Sequence, residues 1–151
     1  MLRVTMGNNC PSPKDVRRVD VPNERGAIES IENAILSAVE RCGYGKAARF
    51  AIKLAVEEAI ANGFRHGHKN LPAHLPVTVE YAVGPEEVLI NVEDRGPGFE
   101  PGRVPDCTLD ENLEQPSGRG IMLIRAYMAQ VGFNDKGNRI QMVFRKPPGD
   151  R

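Results

Sequence analysis

Three stretches of the chain repeat apolar residues every three or four positions, the spacing of a helix face. The first stretch predicts a helix that ends near Gly43. The second predicts a helix over about 46–66, with Gly67 as its C-terminal stop, and the third predicts a helix over 120–131. The apolar faces consist, in order, of Ile28, Ile31, Ile35 and Val39; Phe50, Leu54, Ala55, Ala59 and Ile60; and Ile121, Ile124, Met128 and Val131.

Elsewhere the apolar residues alternate with other residues, as they do in half-buried strands. Residues 16–21 predict an edge strand, and residues 77–93 predict a hairpin that turns at Gly84 and Pro85. Residues 131–144 predict a second hairpin around the turn 135–138. This order of elements predicts an α+β fold, a two-layer α/β sandwich with the helices on one face of a mainly antiparallel mixed sheet.

Length and composition indicate one soluble domain. The chain has 151 residues, of which 40% are hydrophobic. We expect the domain to cover residues 16–146, between a flexible N-terminal arm (1–15) and a flexible tail (147–151). The 20 basic residues balance the 20 acidic ones, so the chain lacks the net positive charge typical of proteins that neutralise nucleic-acid phosphates.

The sequence contains neither a signal-peptide pattern nor an apolar run that could cross a membrane, which predicts a cytoplasmic protein. Its cysteines lack metal-ligand spacing, and we expect them to be reduced thiols: Cys10, Cys42 and Cys107. Its histidines have no cysteine close in sequence and do not suggest zinc: His66, His68 and His74.

The first motif, EEAIANGFRHG, covers residues 57–67. Glu58 and Asn62 are four residues apart on the second helix, so their side chains project side by side. A carboxamide oxygen is a ligand that Mg²⁺ accepts, and a carboxylate can take a proton from an attacking hydroxyl. An ordinary helix with an exposed glutamate and a hydrogen-bonded asparagine would give the same pattern, so this motif alone leaves both interpretations open.

The second motif, EDRGPGF, covers residues 93–99 at a strand end. Gly96 and Gly98 let the backbone turn and approach a ligand closely. Asp94, an acceptor when ionised, could take a hydrogen bond from the exocyclic amine of adenine. A tight turn capped by aspartate is the alternative interpretation.

The third motif, PSGRGIMLI, covers residues 116–124 and opens a helix after a long loop. Free backbone N–H groups at a helix start favour phosphate, and Arg119 could pair with phosphate oxygens. Alternatively, Ser117 is an N-cap at a flexible entry formed with Gly118 and Gly120. The chain contains no P-loop pattern of the form GxxxxGK[ST].

The order of the three motifs resembles the conserved boxes of the Bergerat-fold ATPases, the superfamily that includes the histidine kinases. Within it, the short chain and the form EEAIANGFRHG…VEDRGPGF…SGRGIMLIRAYM resemble the anti-sigma-factor serine kinases, over about residues 24–145. This resemblance implies ATP and Mg²⁺ as ligands.

The resemblance also implies a role for each matching residue. Glu58 would be the general base and Asn62 the Mg²⁺ ligand, while the loop 99–117 would be the ATP lid. The other matches are Asp94, which would bind adenine, with Gly96 and Gly98 beside it; Ser117, Gly118 and Gly120, near the phosphates; and His66 and Gly67, at the end of the first box.

Two positions depart from the family pattern. Pro116 stands where some members carry an arginine, so Arg119 would have to replace that charge. Asn138 stands where several members carry a threonine, so its side chain or a water would have to replace the threonine hydroxyl at the adenine site.

By the same resemblance, the expected partners are a small STAS-type anti-anti-sigma antagonist, phosphorylated on serine, and a sigma factor that the chain sequesters. A homodimer is plausible, and neither direct nucleic-acid binding nor a membrane is expected. Two alternatives stay open: an ATP-dependent binding switch without turnover, and a stand-alone histidine-kinase-like ATPase domain.

Overall fold

The computed structural model describes residues 15–98 and 116–150, with side chains from Gly120 onward in the second range. Residues 1–14 of the predicted arm and residues 99–115 of the predicted lid lie outside the described residues. The described part contains five strands and three α-helices: β1 (Arg17–Val21), α1 (Arg25–Arg41), α2 (Lys46–Asn62), β2 (Val77–Val83), β3 (Glu87–Glu93), α3 (Pro116–Tyr127), β4 (Gln130–Phe133) and β5 (Arg139–Arg145).

The strands form one sheet in the order β1-β2-β3-β5-β4, and all four pairings are antiparallel. Both predicted hairpins are present, and β1 is an edge strand as predicted. The helices pack together and against the apolar face of the sheet, which confirms the α+β class. The buried apolar side chains on that face include Val77, Val79, Tyr81, Val88, Ile90 and Val92.

The second helix changes geometry before its predicted end. The regular α-helix stops at Asn62, and Gly63–Gly67 continues it as a π-helical turn closed by the His68 N–H, which donates to the Gly63 carbonyl at 2.9 Å. Single π turns are often found at functional sites. Here the wider turn carries the end of the first motif toward the sheet, where Gly67 approaches Asp94.

The third helix differs from its prediction at both ends. It begins at Pro116 rather than Gly120, because proline is well suited to the first turn of a helix. It ends at Tyr127 rather than Val131, because the Ala129 N–H donates to the Val143 carbonyl of β5 at 2.8 Å and the chain joins the sheet. Val131 therefore lies in β4, not on a helix face.

The segment after β5 contacts the start of α2. Residues Pro148–Asp150 form a 3₁₀ turn, and Asp150 accepts a hydrogen bond from the N–H of Gly45, the N-cap of α2, at 2.9 Å. A carboxylate at this position is favoured by the helix dipole.

Cys42 is disulfide-bonded, which contradicts the expectation of three reduced thiols. The cysteine to which it is bonded lies outside the described residues.

A carboxyl group is buried between the first two helices. Glu32 of α1 is only 6% exposed. Its pKa is raised to about 7, first because burial disfavours the charged form and next because Glu57 of α2 lies beside it. This pair faces a groove separate from the cavity that holds the predicted site residues.

Candidate functional site

A cavity of about 390 Å³ opens where the end of α2 meets α3 and the sheet. Its size is within the range of small-molecule sites. The wall combines an apolar part with a few polar groups contributed by the predicted motifs. The lining residues include Ala59, Asn62, Gly63, His66, Gly67, Val92, Asp94, Gly98, Ile121, Phe133, Asn138 and Ile140.

One end of the cavity lies between α2 and α3. A Cβ atom built on Gly120 would lie 2.8 Å from Glu58 Oε2 and 3.1 Å from Asn62 Nδ2. The missing side chain at Gly120 is therefore what lets α3 approach the two polar side chains of α2. Asn62 Oδ1 is buried and has no hydrogen-bond partner in the part of the chain that the structure describes.

A buried acceptor without a partner costs roughly 1–3 kcal/mol, and such groups mark places where a ligand or ion completes the bonding. The donor chemistry fits a hard cation, because a carboxamide oxygen is a Mg²⁺ ligand and the carboxylate of Glu58 is adjacent. Within the described ranges, no cluster of three or more histidine, cysteine or acidic side chains forms a metal site.

The other end of the cavity is formed around Asp94, directly after β3. Its Oδ1 accepts a hydrogen bond from the Gly96 N–H at 2.7 Å. The pKa of Asp94 is raised because burial disfavours the charged form, although the bond from Gly96 and the nearby His68 oppose that shift. Such a carboxyl group, half-buried and facing the cavity, is suited to recognise a hydrogen-bond donor on a ligand.

Glycines allow close approach of three segments around Asp94. A Cβ on Gly67 would lie 2.2 Å from Asp94 Cγ, and a Cβ on Gly96 would lie 2.0 Å from the Gly67 carbonyl oxygen. Gly98 has a φ of +77°, a left-handed conformation that favours glycine, and its Cβ would meet the Lys136 carbonyl oxygen. Larger residues at these three positions would push the aspartate turn away from its neighbours.

The hairpin β4–β5 holds Asp94 from the opposite side. The Asp94 N–H donates to the Asn138 carbonyl at 2.9 Å, and Asn138 Nδ2 donates to the Asp94 carbonyl at 3.0 Å. Asn138 Oδ1 in turn accepts a hydrogen bond from Asn134 Nδ2 at 2.8 Å. Thus the side chain of Asn138 braces the Asp94 backbone, a contact different from the predicted replacement of a threonine hydroxyl, which stays untested.

Sequence reasoning missed Asn134. Its Oδ1 accepts hydrogen bonds from three successive backbone N–H groups, those of Gly137, Asn138 and Arg139, at 2.8 to 3.2 Å. Such a side chain fixes the turn that carries Asn138. The pattern Asn-Asp-Lys-Gly-Asn between two strands was the available signal, but it was interpreted only as a turn.

The predicted site residues divide into three groups. Those at the cavity wall are Asn62, His66, Gly67, Asp94, Gly98 and Asn138. Glu58 and Gly120 lie beside Asn62, and Gly96 lies behind Asp94. The side chains of Ser117 and Arg119 and the surroundings of Gly118 lie outside the described residues, so their predicted phosphate contacts stay predictions.

His66 lies at the rim of this cavity. The pKa of His66 is lowered, first because part of its side chain is buried and next because the cations Arg65 and Lys69 lie nearby. Neutral imidazole is therefore favoured at the rim.

In the described residues, no helix is both long and apolar enough to span a membrane.

Comparison with known proteins identifies a family and several relatives of this chain. Residues 21–144 match the family described as histidine kinase-like ATPase domain. An anti-sigma F factor of Oceanobacillus iheyensis is 33% identical over 97 residues, which cover 60% of this chain and 65% of that protein. Anti-sigma F factors of Clostridium perfringens and Clostridium beijerinckii are 34% and 31% identical, over 68% of their lengths. The match thus spans about two thirds of each relative.

Proposed function

The chain belongs to the histidine kinase-like ATPase domain family, and on that premise we propose that it is an ATP-dependent protein serine kinase of the anti-sigma-factor type. Its substrate would be a serine of a small STAS-type antagonist protein, and in its other partnership it would sequester a sigma factor. The similarity to proteins named anti-sigma F factors supports the sigma-factor partner, and the antagonist follows from the resemblance of the three motifs to the serine kinases. Both partnerships are expected in the cytoplasm.

The observation that carries this proposal is the unsatisfied oxygen of Asn62 beside Glu58. A buried acceptor next to a carboxylate is costly in an unliganded protein, so the pair is better explained by a ligand than by packing. Asn62 lines the cavity, and both side chains adjoin Gly120 of the helix that carries the glycine-rich motif. That position fits the site of the transferred phosphate.

Residues at the two ends of the cavity would determine the orientation of the bound nucleotide. Asp94 would accept a hydrogen bond from the adenine amine, because its half-buried carboxylate faces the cavity. Gly120, near the start of α3, adjoins Asn62, and the free N–H groups and dipole of that helix start would favour phosphate. Gly118 and Arg119, in that first turn, would contact the γ-phosphate.

Asn62 would hold Mg²⁺ through Oδ1, since that oxygen is buried, unpartnered among the described residues and next to the expected phosphates. When bound, Mg²⁺ supplies positive charge that offsets the phosphate oxygens. The protein's own contribution is to orient the nucleotide and to exclude water, because phosphoryl transfer depends mainly on positioning and electrostatics.

Glu58 would receive the proton of the attacking serine. The serine oxygen attacks the γ-phosphorus, the bond to the bridging oxygen of ADP breaks, and the hydroxyl proton passes to the carboxylate of Glu58. This carboxylate lies next to Asn62 and Gly120, so it faces the place where the γ-phosphate is expected.

A nucleotide-dependent switch without turnover is the second candidate. It is favoured by Pro116, which begins α3 where an arginine stands in some kinases and leaves that position without a charge. A switch would bind ATP and change its partner surface on lid closure. It would not need a proton acceptor at Glu58.

Substitution of Glu58 by Gln separates the two candidates. In a kinase, Glu58→Gln retains ATP binding but lowers phosphate transfer to a purified STAS-type antagonist by about 10²–10⁴-fold. Glu57→Gln is the matched control, because Glu57 faces the groove with Glu32 rather than the cavity. Transfer that is equal in wild type and Glu58→Gln would contradict the proposed general base, and a wild type that binds ATP without transfer would support the switch.

A further inference from the structure

His68 connects two parts of the nucleotide site that are distant in sequence. It directly follows the π turn, which its backbone N–H closes by donating to the Gly63 carbonyl at 2.9 Å. Its side chain is only 8% exposed, and the ring packs edge-to-face against Phe64 at 5.6 Å. The ring position is therefore fixed by helix-end packing rather than by solvent.

The free ring nitrogen of His68 holds the aspartate turn. Nε2 accepts a hydrogen bond from the backbone N–H of Arg95 at 2.8 Å. Arg95 lies between Asp94 and Gly96, so the bond fixes the middle of the turn whose first residue faces the cavity. A ring nitrogen accepts a hydrogen bond only when it carries no proton, so this contact requires the neutral imidazole with its proton on Nδ1.

We propose that His68 is a positioning residue for nucleotide binding, which fixes the Asp94 turn through the hydrogen bond that its ring nitrogen accepts from Arg95. This inference rests on the proposed ATP site. Without an acceptor at this place the Arg95 N–H loses its partner, the turn moves, and Asp94 moves with it.

The competing interpretation is that His68 only fills space at the end of the helix. A structural role of this kind predicts that an aromatic ring of similar size suffices. The hydrogen bond to Arg95 distinguishes the two interpretations. A variant that keeps the acceptor without the ring should rescue binding.

The test is calorimetric titration of ADP into the full chain at pH 8, with three variants. His68→Gln supplies an acceptor without the ring, His68→Phe retains a ring without an acceptor, and His74→Gln is a control at an exposed histidine. We expect His68→Gln and His74→Gln to bind within about threefold of wild type and His68→Phe to bind about tenfold more weakly, as expected for one lost hydrogen bond.

Full affinity of His68→Phe, or a loss of affinity in His68→Gln as large as that in His68→Phe, would overturn the inference. Nitrogen NMR of the nucleotide-free protein provides a second readout that does not depend on ligand. It should show the Nδ1–H tautomer of His68. If neither wild type nor any variant binds ADP while this tautomer is found, the proposed ATP site fails and the hydrogen bond itself stands. If the Nε2–H tautomer is found, the positioning role fails.

Discussion

Replacing Asn62 by leucine should stabilise the unliganded protein and abolish its response to Mg²⁺. Asn62 Oδ1 is buried, and the described residues supply no hydrogen-bond donor for it. Leucine has a similar shape, places no polar atom there and favours the helix slightly more. Removal of an unsatisfied buried acceptor should therefore raise the free energy of unfolding by about 1 kcal/mol or more, which for a chain of this size raises Tm by about 2–4 °C.

Asn138 provides the matched control, because it lines the same cavity but both ends of its amide are bonded. Nδ2 donates to Asp94 and Oδ1 accepts from Asn134. Asn138→Leu removes both hydrogen bonds and leaves the Asp94 carbonyl and the Asn134 amide without these partners. The free energy of unfolding should therefore fall by about 1–3 kcal/mol. The two substitutions are chemically identical, yet the structure predicts opposite signs.

Thermal and urea unfolding of wild type and both variants measures the stability part of this prediction. Calorimetric titration of ATP with and without Mg²⁺ measures the functional part, in which Asn62→Leu should bind ATP equally with and without the ion. If Asn62→Leu destabilises the unliganded protein by more than about 1 kcal/mol, its oxygen has a partner after all. The argument that this oxygen awaits a ligand would then be wrong.

Two further substitutions test local features of the structure. Gly67→Ala places a Cβ 2.2 Å from Asp94 Cγ, so the carboxylate must move by about 1 Å and ADP affinity should fall about 10–100-fold. Gly26→Ala, where a Cβ meets nothing within 4 Å, should leave calorimetric affinity unchanged, and equal affinity of the two variants would contradict this explanation. Glu32→Gln should flatten the pH dependence of Tm. The pKa of Glu32 is raised from 4.5 to about 7, so in wild type its contribution to stability decreases as pH rises from about 4.5 to 7. Glu40→Gln, at an exposed site, should keep the wild-type pH dependence of Tm. If Glu32→Gln also keeps it, Glu32 does not cause that pH dependence.

Much of the fold follows from the apolar pattern. The strands β2 and β3 carry an unbroken period of two, and both were predicted within one residue of their ends. Helix α3 was predicted less well, because Met128 and Val131 continue the helical spacing although the helix ends at Tyr127 and β4 begins at Gln130. Local periodicity cannot show that a backbone N–H will find its partner in a neighbouring strand.

The candidate site was likewise predicted only in part. The motifs identified Asn62 and Asp94, which the fold brings to one cavity. The residues that hold Asp94 in place were not predicted, because Asn134 and His68 act through backbone hydrogen bonds that form only after distant segments meet. Nothing in the sequence His-Gly-His indicates that its second histidine accepts a hydrogen bond from an amide 27 residues away.

The most direct test of the nucleotide site is calorimetric titration of ATP and ADP, with and without Mg²⁺, into wild type and Asp94→Asn. Asparagine retains the size of Asp94 but loses the charge that would accept the adenine amine. We expect Mg²⁺-dependent ATP binding with a Kd of roughly micromolar magnitude in wild type, weakened at least about tenfold by the substitution. No binding to wild type at millimolar nucleotide would contradict the account, and would leave a protein-binding domain that shares the fold of the ATPases without their ligand.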